Sequence, residues 1–146
     1  MKNHPLRKAY GYVSRIKNGT PQVLVFRHSI KESGIQIPKG TIELGEEPFH
    51  AVIREVQEET GLVDFQVEEL IKQDKWEFKG KVYERFFYKI NIEEDRETWD
   101  HAPTGGGSED GLIFSYFWIS HKHEVELAPG HGDYLDWIFK GEEVKR

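Results

Sequence analysis

The 146-residue sequence contains no cysteine and no long apolar segment. Without thiols the chain can form neither disulfides nor thiolate metal sites, and it cannot use a cysteine nucleophile. The longest apolar segment, Leu112 to Ile119, is far too short to span a bilayer, and Met1 to Tyr10 has no apolar stretch of signal-peptide length. We therefore expect a cytoplasmic protein that does not interact with a membrane.

The sequence also lacks an excess of positive charge. Its 26 Asp and Glu residues outnumber its 20 Lys and Arg residues, which gives a formal net charge of -6. Such a surface repels nucleic acid and anionic lipid, so we expect no nucleic-acid partner. A ligand that contains phosphate would therefore need local cations or a metal ion.

The length and the hydrophobic content of 37% suit one core, and we expect a single domain over residues 1–146. β-Branched and aromatic residues with turn signals between them predict strands. The predicted strands are Lys8 to Lys17 and Gln22 to His28, joined by Asn18-Gly19, then Phe65 to Trp76, Lys81 to Ile92 and Leu112 to Ile119. The polar segments Ser29 to Ile37 and Glu93 to Gly111 are predicted to be loops.

A central helix is predicted from Glu47 to Thr60, where apolar residues recur at helical spacing. Pro48 suits the first helical turn, and Gly61 suits the position just past the end. The predicted core-facing residues are Phe49, Val52, Ile53 and Val56. A short closing helix at Tyr134 to Lys140, preceded by a turn at Gly130-His131-Gly132, completes a pattern typical of a mixed α+β domain.

Three carboxylates of the central helix, those of Glu55, Glu58 and Glu59, are predicted to share one sector roughly 100° wide. Like charges at this spacing repel by a few tenths of a kcal/mol per pair in water. Arg54 can pair with Glu58, but one guanidinium cannot neutralise the whole set. A hard divalent cation can, because Mg²⁺ and Mn²⁺ prefer oxygen ligands. The alternative is an ordinary solvated acidic helix face.

The segment Gly40 to Leu62, GTIELGEEPFHAVIREVQEETGL, resembles the Nudix box, whose pattern is G-x5-E-x7-R-E-U-x-E-E-x-G-U with U an aliphatic residue. Every specified position of the pattern is filled. The matching residues are Gly40, Glu46, Arg54, Glu55, Val56, Glu58, Glu59, Gly61 and Leu62. Chance agreement over so many positions is very improbable, unlike that of a lone glycine-rich motif.

The resemblance implies an α/β/α sandwich with a mixed, largely antiparallel sheet. It also implies a MutT-like pyrophosphohydrolase that uses Mg²⁺ or Mn²⁺ to cleave a phosphoanhydride bond in a nucleoside diphosphate linked to another moiety. Pro38-Lys39-Gly40 followed by Glu43, Gly45 and Glu46 is similar to hydrolases of diadenosine polyphosphates. Nucleotide sugars, modified nucleoside triphosphates and capped RNA ends remain open as substrates, as does a nucleotide-sensing domain that hydrolyses nothing.

The resemblance assigns roles to residues of the box. Glu58 and Glu59 match the principal metal ligands, and Glu55 matches a carboxylate that binds metal or assists the attacking water. The backbone carbonyl of Lys39 matches a position that often completes the metal shell. Arg54 is expected to support catalysis by tying the loop, through Glu46, to the helix, because such contacts fix ligand geometry.

Outside the box the predictions are less specific. Glu109, with Asp110 beside it, is a candidate for the further carboxylate ligand that the family commonly uses. Lys39 and Lys81, with Arg27 and Arg85 as weaker options, are candidates for phosphate contacts, although ordinary surface charge is the alternative for the three residues other than Lys39. Tyr83, with Phe87 or Trp76, is a candidate for stacking on a base, and simple packing is its alternative. The sequence does not indicate the oligomeric state.

Overall fold

The computed structural model describes residues 5–104 and 111–139. In this part of the chain the strands are β1 Leu6–Lys17, β2 Thr20–His28, β3 Ile35–Gln36, β4 Lys39–Thr41, β5 Phe65–Phe78, β6 Lys81–Ile92, β7 Trp99–His101 and β8 Phe114–Ile119. The helix α1 spans Pro48–Thr60, a 3-10 turn spans Lys31–Ser33, and residues 136–139 form a helical turn. No helix in these ranges is long and apolar enough to cross a membrane.

Two hairpins build the long strands, as predicted. In the β1–β2 turn, Asn18 and Gly19 both have positive φ, 52° and 80°, and in the β5–β6 turn Lys79 and Gly80 have 52° and 79°. Two successive residues with positive φ match the right-handed twist of an antiparallel pair, which is why asparagine and glycine favour this position. Lysine adopts a positive φ less readily than asparagine, whereas Gly80 adopts it without a steric cost.

The strands form one mixed sheet in the order β5-β6-β1-β2-β8-β7, and β3 and β4 pair with β2 and β1 outside this path. β1 and β6 are parallel, whereas every other described pair is antiparallel. The parallel pairing brings the hairpin β5–β6 beside the first hairpin across the α1 connection. The predicted mixed, largely antiparallel sheet is confirmed.

Each face of the sheet carries a hydrophobic core. On one face Val52 and Val56 of α1 pack against strand residues that include Ala9 and Ile90. On the other face Tyr10, Phe87 and their neighbours pack against Leu135, Ile138 and Phe139. Helical segments therefore cover both faces, and the predicted α+β sandwich is confirmed.

Three predictions of local structure were wrong. The segment from Ser29 to Ile37 is not only loop, because β3 within it pairs with β2. Phe49, predicted to face the core, is 45% exposed, and Ala51 is fully buried in the α1 interface instead. The segment from Glu93 to Gly111 is not only loop, because β7 within it pairs with β8. The buried Arg15 also binds the backbone carbonyls of Glu94 and Arg96, at 2.7 and 3.2 Å. The polar sequence of this segment does not predict these contacts, because its partners lie in β1 and β8.

Candidate active site

The acidic face of α1 lies against β4, at the edge where β4 pairs with β1. A β-carbon placed on Gly40 would lie 1.9 Å from Cδ of Glu55, so that carboxylate touches the peptide backbone of β4. The backbone N–H of Lys39 donates to Oε1 of Glu59 at 3.1 Å, and Glu59 is buried. Two of the three predicted carboxylates therefore meet the backbone at residues 39 and 40.

Arg54 joins the loop before α1 to the acidic face. Its Nε and Nη2 donate to the two carboxylate oxygens of Glu46 at 2.7 and 2.8 Å, and its Nη1 donates to Glu55 at 2.8 Å and to Glu58 at 3.3 Å. Nη2 also binds the carbonyl of Thr41 at 3.0 Å. The predicted pairing with Glu58 is confirmed, although Glu46 is the stronger partner.

The guanidinium of Arg54 governs the electrostatics of this region. Its hydrogen bonds lower the pKa of Glu46 to about 2, and the backbone N–H of Glu43 contributes. The same bonds, with those to Glu55, raise the pKa of Arg54 above its ordinary value. Arg54 therefore stays cationic and partly offsets the repulsion among the glutamates of the box.

The donor set suits a hard divalent cation by its chemistry. Carboxylates and a backbone carbonyl are the oxygen ligands that Mg²⁺ and Mn²⁺ prefer. The missing side chain at Gly40 leaves a cradle in which Glu55 can approach the backbone. No three acidic or histidine side chains among the described residues converge as a preformed cage, because Arg54 contacts Glu55 and Glu58 while Glu59 turns to Lys39.

The C-terminal end of α1, which carries Glu58 and Glu59, is held by donors from distant strands. The carbonyl of Glu58 accepts from the backbone N–H of Thr104 at 3.0 Å and lies 3.1 Å from Nε2 of His101. The hydroxyl of Tyr116 donates to the carbonyl of Glu59 at 2.8 Å. These bonds satisfy helix carbonyls that would otherwise have no partner in the helix.

Trp99 completes this C-terminal anchor. Its Nε1 donates to the carbonyl of Thr60 at 3.0 Å, and the backbone N–H of Gly61 donates to Gln57 at 3.0 Å. Gly61 has a φ of 80°, and a β-carbon there would lie 2.9 Å from Nδ1 of His101, so glycine is required for two reasons. The sequence predicts the glycine cap but not the side-chain donors.

His131 supports the other side of the site. Its Nδ1 accepts from the backbone N–H of Ile37 at 3.1 Å, two residues before Lys39. Burial, helped by the charges of Lys39 and Arg85, lowers the pKa of His131 to about 3, so the ring is neutral at physiological pH. The sequence Gly130-His131-Gly132 predicts a simple turn, and nothing in the local pattern indicates that the histidine contacts residue 37.

Lys8 is a further cation beside the site that sequence analysis missed. Its Nζ donates to Oγ1 of Thr41 at 2.8 Å. Burial and the charge of Lys39 lower the pKa of Lys8, the charges of Glu55 and Glu59 raise it, and Lys81 lowers it again. Lys8 therefore lies within electrostatic reach of both the glutamates and the two predicted lysines. Only the pairing of β1 with β4 brings it there.

The remaining candidates lie in different surroundings. Tyr83 is half-buried and lies beside the ring of Trp76 at a centroid distance of 5.7 Å, whereas Phe87 is fully buried against Tyr10. Arg27 lies over the ring of Phe117, 5.0 Å from its centroid.

Four of the candidates are not placed in the site by the described residues. Arg85 is buried and bound to Asp74 and Asp133, so its guanidinium is engaged within the fold. Burial thus removes both Phe87 and Arg85 as ligand contacts. Glu109 and Asp110 lie outside the described residues.

Comparison with known proteins identifies the family. Residues 5–138 match the family model of the NUDIX domain. An 8-oxo-dGTP diphosphatase of Haemophilus influenzae is 31% identical over 94 residues, which are 64% of this chain and 60% of that protein. An 8-oxo-dGTP diphosphatase of Escherichia coli is 28% identical over 109 residues, 73% of this chain and 79% of that protein.

A solved structure agrees in fold. The crystal structure of a Caenorhabditis elegans Ap4A hydrolase covers 97% of this chain and 98% of its own, with 16% identity and a TM-score of 0.63. At that identity the likeness concerns the fold alone. The match over residues 5–138, together with the intact box, establishes that this chain belongs to the NUDIX domain family. The predicted family is confirmed, and the predicted pyrophosphohydrolase class agrees with the names of both curated relatives.

Proposed function

We propose that this chain hydrolyses a phosphoanhydride bond in a nucleotide, with the help of a divalent metal ion held by Glu55, Glu58, Glu59 and the carbonyl of Lys39. The observation that supports this proposal most directly is the meeting of Glu55 and Glu59 with the backbone of β4 at residues 39 and 40. Carboxylates brought to a peptide backbone offer several oxygen donors to one hard cation.

The chain's own residues have distinct parts in the proposed reaction. The oxygen of a water molecule bonds to one phosphorus, the bridging oxygen leaves with the other phosphoryl group, and a carboxylate of the box takes the proton. Glu55 is the candidate for that proton acceptor, because it lies in the cradle at Gly40. Arg54 is a positioning residue that holds Glu55 and Glu58 by hydrogen bonds.

Magnesium or manganese, when bound, would supply charge neutralisation for the phosphate oxygens and would make the attacking water more acidic. The N–H of Lys39 donates to Glu59, and the carbonyl of the same residue is the proposed further ligand. The role of Glu109 as an additional ligand remains a prediction from the family resemblance.

For the substrate, we propose a small nucleotide with a polyphosphate chain. The curated relatives act, by their names, on 8-oxo-dGTP, which favours a modified nucleoside triphosphate. A diadenosine polyphosphate is the second candidate substrate. It is supported by the similarity of the Pro38-Lys39-Gly40 loop to diadenosine polyphosphate hydrolases, and the Ap4A hydrolase structure has a similar fold. Lys39 and Lys81 are the proposed phosphate contacts, and Tyr83 and Arg27 are weaker candidates.

A substrate screen tests this proposal. The chain is incubated with Mg²⁺ and 8-oxo-dGTP, dGTP, diadenosine tetraphosphate or UDP-glucose in ¹⁸O-labelled water, and the products are identified by mass spectrometry. We expect metal-dependent cleavage of a triphosphate or diadenosine polyphosphate, abolished by EDTA. The position of the label identifies the phosphorus that is attacked.

Two variants distinguish the loss of a carboxylate in the box from the loss of one elsewhere on the surface. We expect Glu58→Gln to lower kcat/KM by at least about 100-fold, because general acid–base and metal-binding groups contribute on this scale. Glu69→Gln is the matched control, since Glu69 is an exposed residue of β5. Equal activity of wild type and Glu58→Gln, or tight nucleotide binding without any turnover, would refute the hydrolase.

A further inference from the structure

Lys8 reaches the rim of the proposed metal site from the strand next to β4. Its ammonium group binds Oγ1 of Thr41 at 2.8 Å, and the carbonyl of the same threonine accepts from Arg54 at 3.0 Å. One residue thus connects the lysine with the arginine that holds the acidic face. Lys8 is therefore placed by contacts that belong to the site and not to the general surface.

Strand alternation puts three lysines on the same side of the sheet. Residues paired across neighbouring strands share a face, and Tyr10, which packs in the core opposite α1, pairs with Lys39. Lys8 lies two residues before Tyr10 in β1, so its side chain shares that face. On β6, Lys81 shares the alternation of Phe87, whose ring packs in the same core.

The cluster of Lys8, Lys39 and Lys81 adds positive charge beside the acidic face of α1. Burial and the charges of Lys39 and Lys81 lower the pKa of Lys8, while the charges of Glu55 and Glu59 raise it. The chain carries a formal net charge of -6, so the placement of three lysines on one face of β4, β1 and β6 is not a consequence of composition. Lysine ammonium groups bind phosphate oxygens as point charges, and a chain of phosphates would relieve their repulsion.

We propose that Lys8 is a phosphate-binding residue of this site and that, with Lys39 and Lys81, it selects linear chains of three or more phosphates over diphosphates. This inference rests on the proposed function, because it assigns the cluster to the same substrate. Each further phosphate adds negative charge, so a group of three ammonium ions favours a triphosphate over a pyrophosphate. Nucleotide sugars, which contain a diphosphate, should therefore be poor substrates.

Binding of inorganic phosphates tests the inference without hydrolysis. Calorimetric titration in EDTA compares tripolyphosphate with pyrophosphate for wild type, Lys8→Met and Lys8→Arg. We expect wild type to prefer tripolyphosphate, Lys8→Met to lose about 10-fold in its affinity, and Lys8→Arg to retain most of it because the charge is kept. Lys75→Met, at an exposed position of β5, is the matched control and should bind like wild type.

Kinetics with the best triphosphate substrate provides the second readout. We expect Lys8→Met to raise KM with little change in kcat, because the lost contact serves binding and not the reacting atoms. Unchanged tripolyphosphate affinity in Lys8→Met, or equal wild-type affinity for the two phosphates, would overturn the inference. If no nucleotide is hydrolysed while Lys8→Met still loses tripolyphosphate affinity, the proposed function fails and the anion site stands.

Discussion

The carboxylate of Glu55 occupies the space that a β-carbon of residue 40 would need, 1.9 Å from its Cδ and 2.2 Å from each carboxylate oxygen. This relationship explains why glycine stands at the start of the box. Any side chain there would push Glu55 away from the backbone of β4. The side chain of Glu55 is long and flexible at its far end, so the conflict affects the site more than the fold.

We therefore expect Gly40→Ala to lower kcat/KM by about 10- to 100-fold, the range found when groups that orient metal ligands are removed. Its melting temperature should stay within a few degrees of wild type. Gly132→Ala is the control, because a β-carbon there would make ordinary contacts of 3.5 and 3.6 Å. A Gly40→Ala protein with wild-type activity and wild-type Mn²⁺ affinity would show that Glu55 need not approach β4.

The hydroxyl of Tyr116 anchors the C-terminal end of α1. Tyr116 is 1% exposed. The Tyr116→Phe variant lacks the hydroxyl group and therefore cannot donate this hydrogen bond to the carbonyl of Glu59. A buried polar group deprived of its partner costs about 1–3 kcal/mol in the free energy of unfolding. Urea denaturation should show this loss, whereas Tyr88→Phe, also at a buried tyrosine, should change it less. Equal stability of Tyr116→Phe and wild type would contradict the prediction.

Glu46 should make the fold sensitive to acid. Its pKa in the folded state, about 2, lies below the ordinary value because Arg54 donates two hydrogen bonds to it. The resulting stabilisation is present above the unfolded-state pKa and is lost as the pH falls from about 4.5 towards 2. Because Glu46 and Arg54 are partly exposed, we expect their ion pair to contribute about 1 kcal/mol to the free energy of unfolding.

The measurement for Glu46 is the free energy of unfolding of wild type and Glu46→Gln between pH 7 and pH 3. We expect the variant to be less stable at pH 7 and the difference to narrow at the acid end. Glu77→Gln, an exposed residue of β5, serves as the control. A difference between wild type and Glu46→Gln that does not change with pH would disprove the role of ionised Glu46.

Arg85 is a buried charge that we expect to be important for stability. It is 2% exposed and binds Asp74 at 2.7 and 2.9 Å, Asp133 at 3.0 Å and the carbonyl of Gly130 at 3.3 Å. Arg85→Met leaves Asp74 without its cation, and breaking a buried pair in this way costs about 3 kcal/mol. Arg27→Met, at an exposed position, should change the urea midpoint far less. Comparable midpoints for the two variants would argue against this role.

Local signals account for the parts of the fold that were predicted correctly. Asn18-Gly19 and Gly80 mark hairpin turns because their backbone tolerates positive φ. Pro48 and Gly61 mark the two ends of α1 because one suits the first helical turn and the other the left-handed cap. The exposure of Phe49 was not predicted. Helical periodicity identifies the apolar face of α1, but it does not show which turns of the helix lie over the sheet.

The sequence alone determined the acidic face of α1, the arginine within it and the family, since these depend on residue types at fixed spacing in one segment. Only the tertiary structure decided the rest. The parallel pairing of β1 with β6, the arrival of Lys8 at β4, the contact of His131 with Ile37 and the bond from Tyr116 to Glu59 all join residues far apart in the chain. Such contacts follow from strand register and burial, which no single segment specifies.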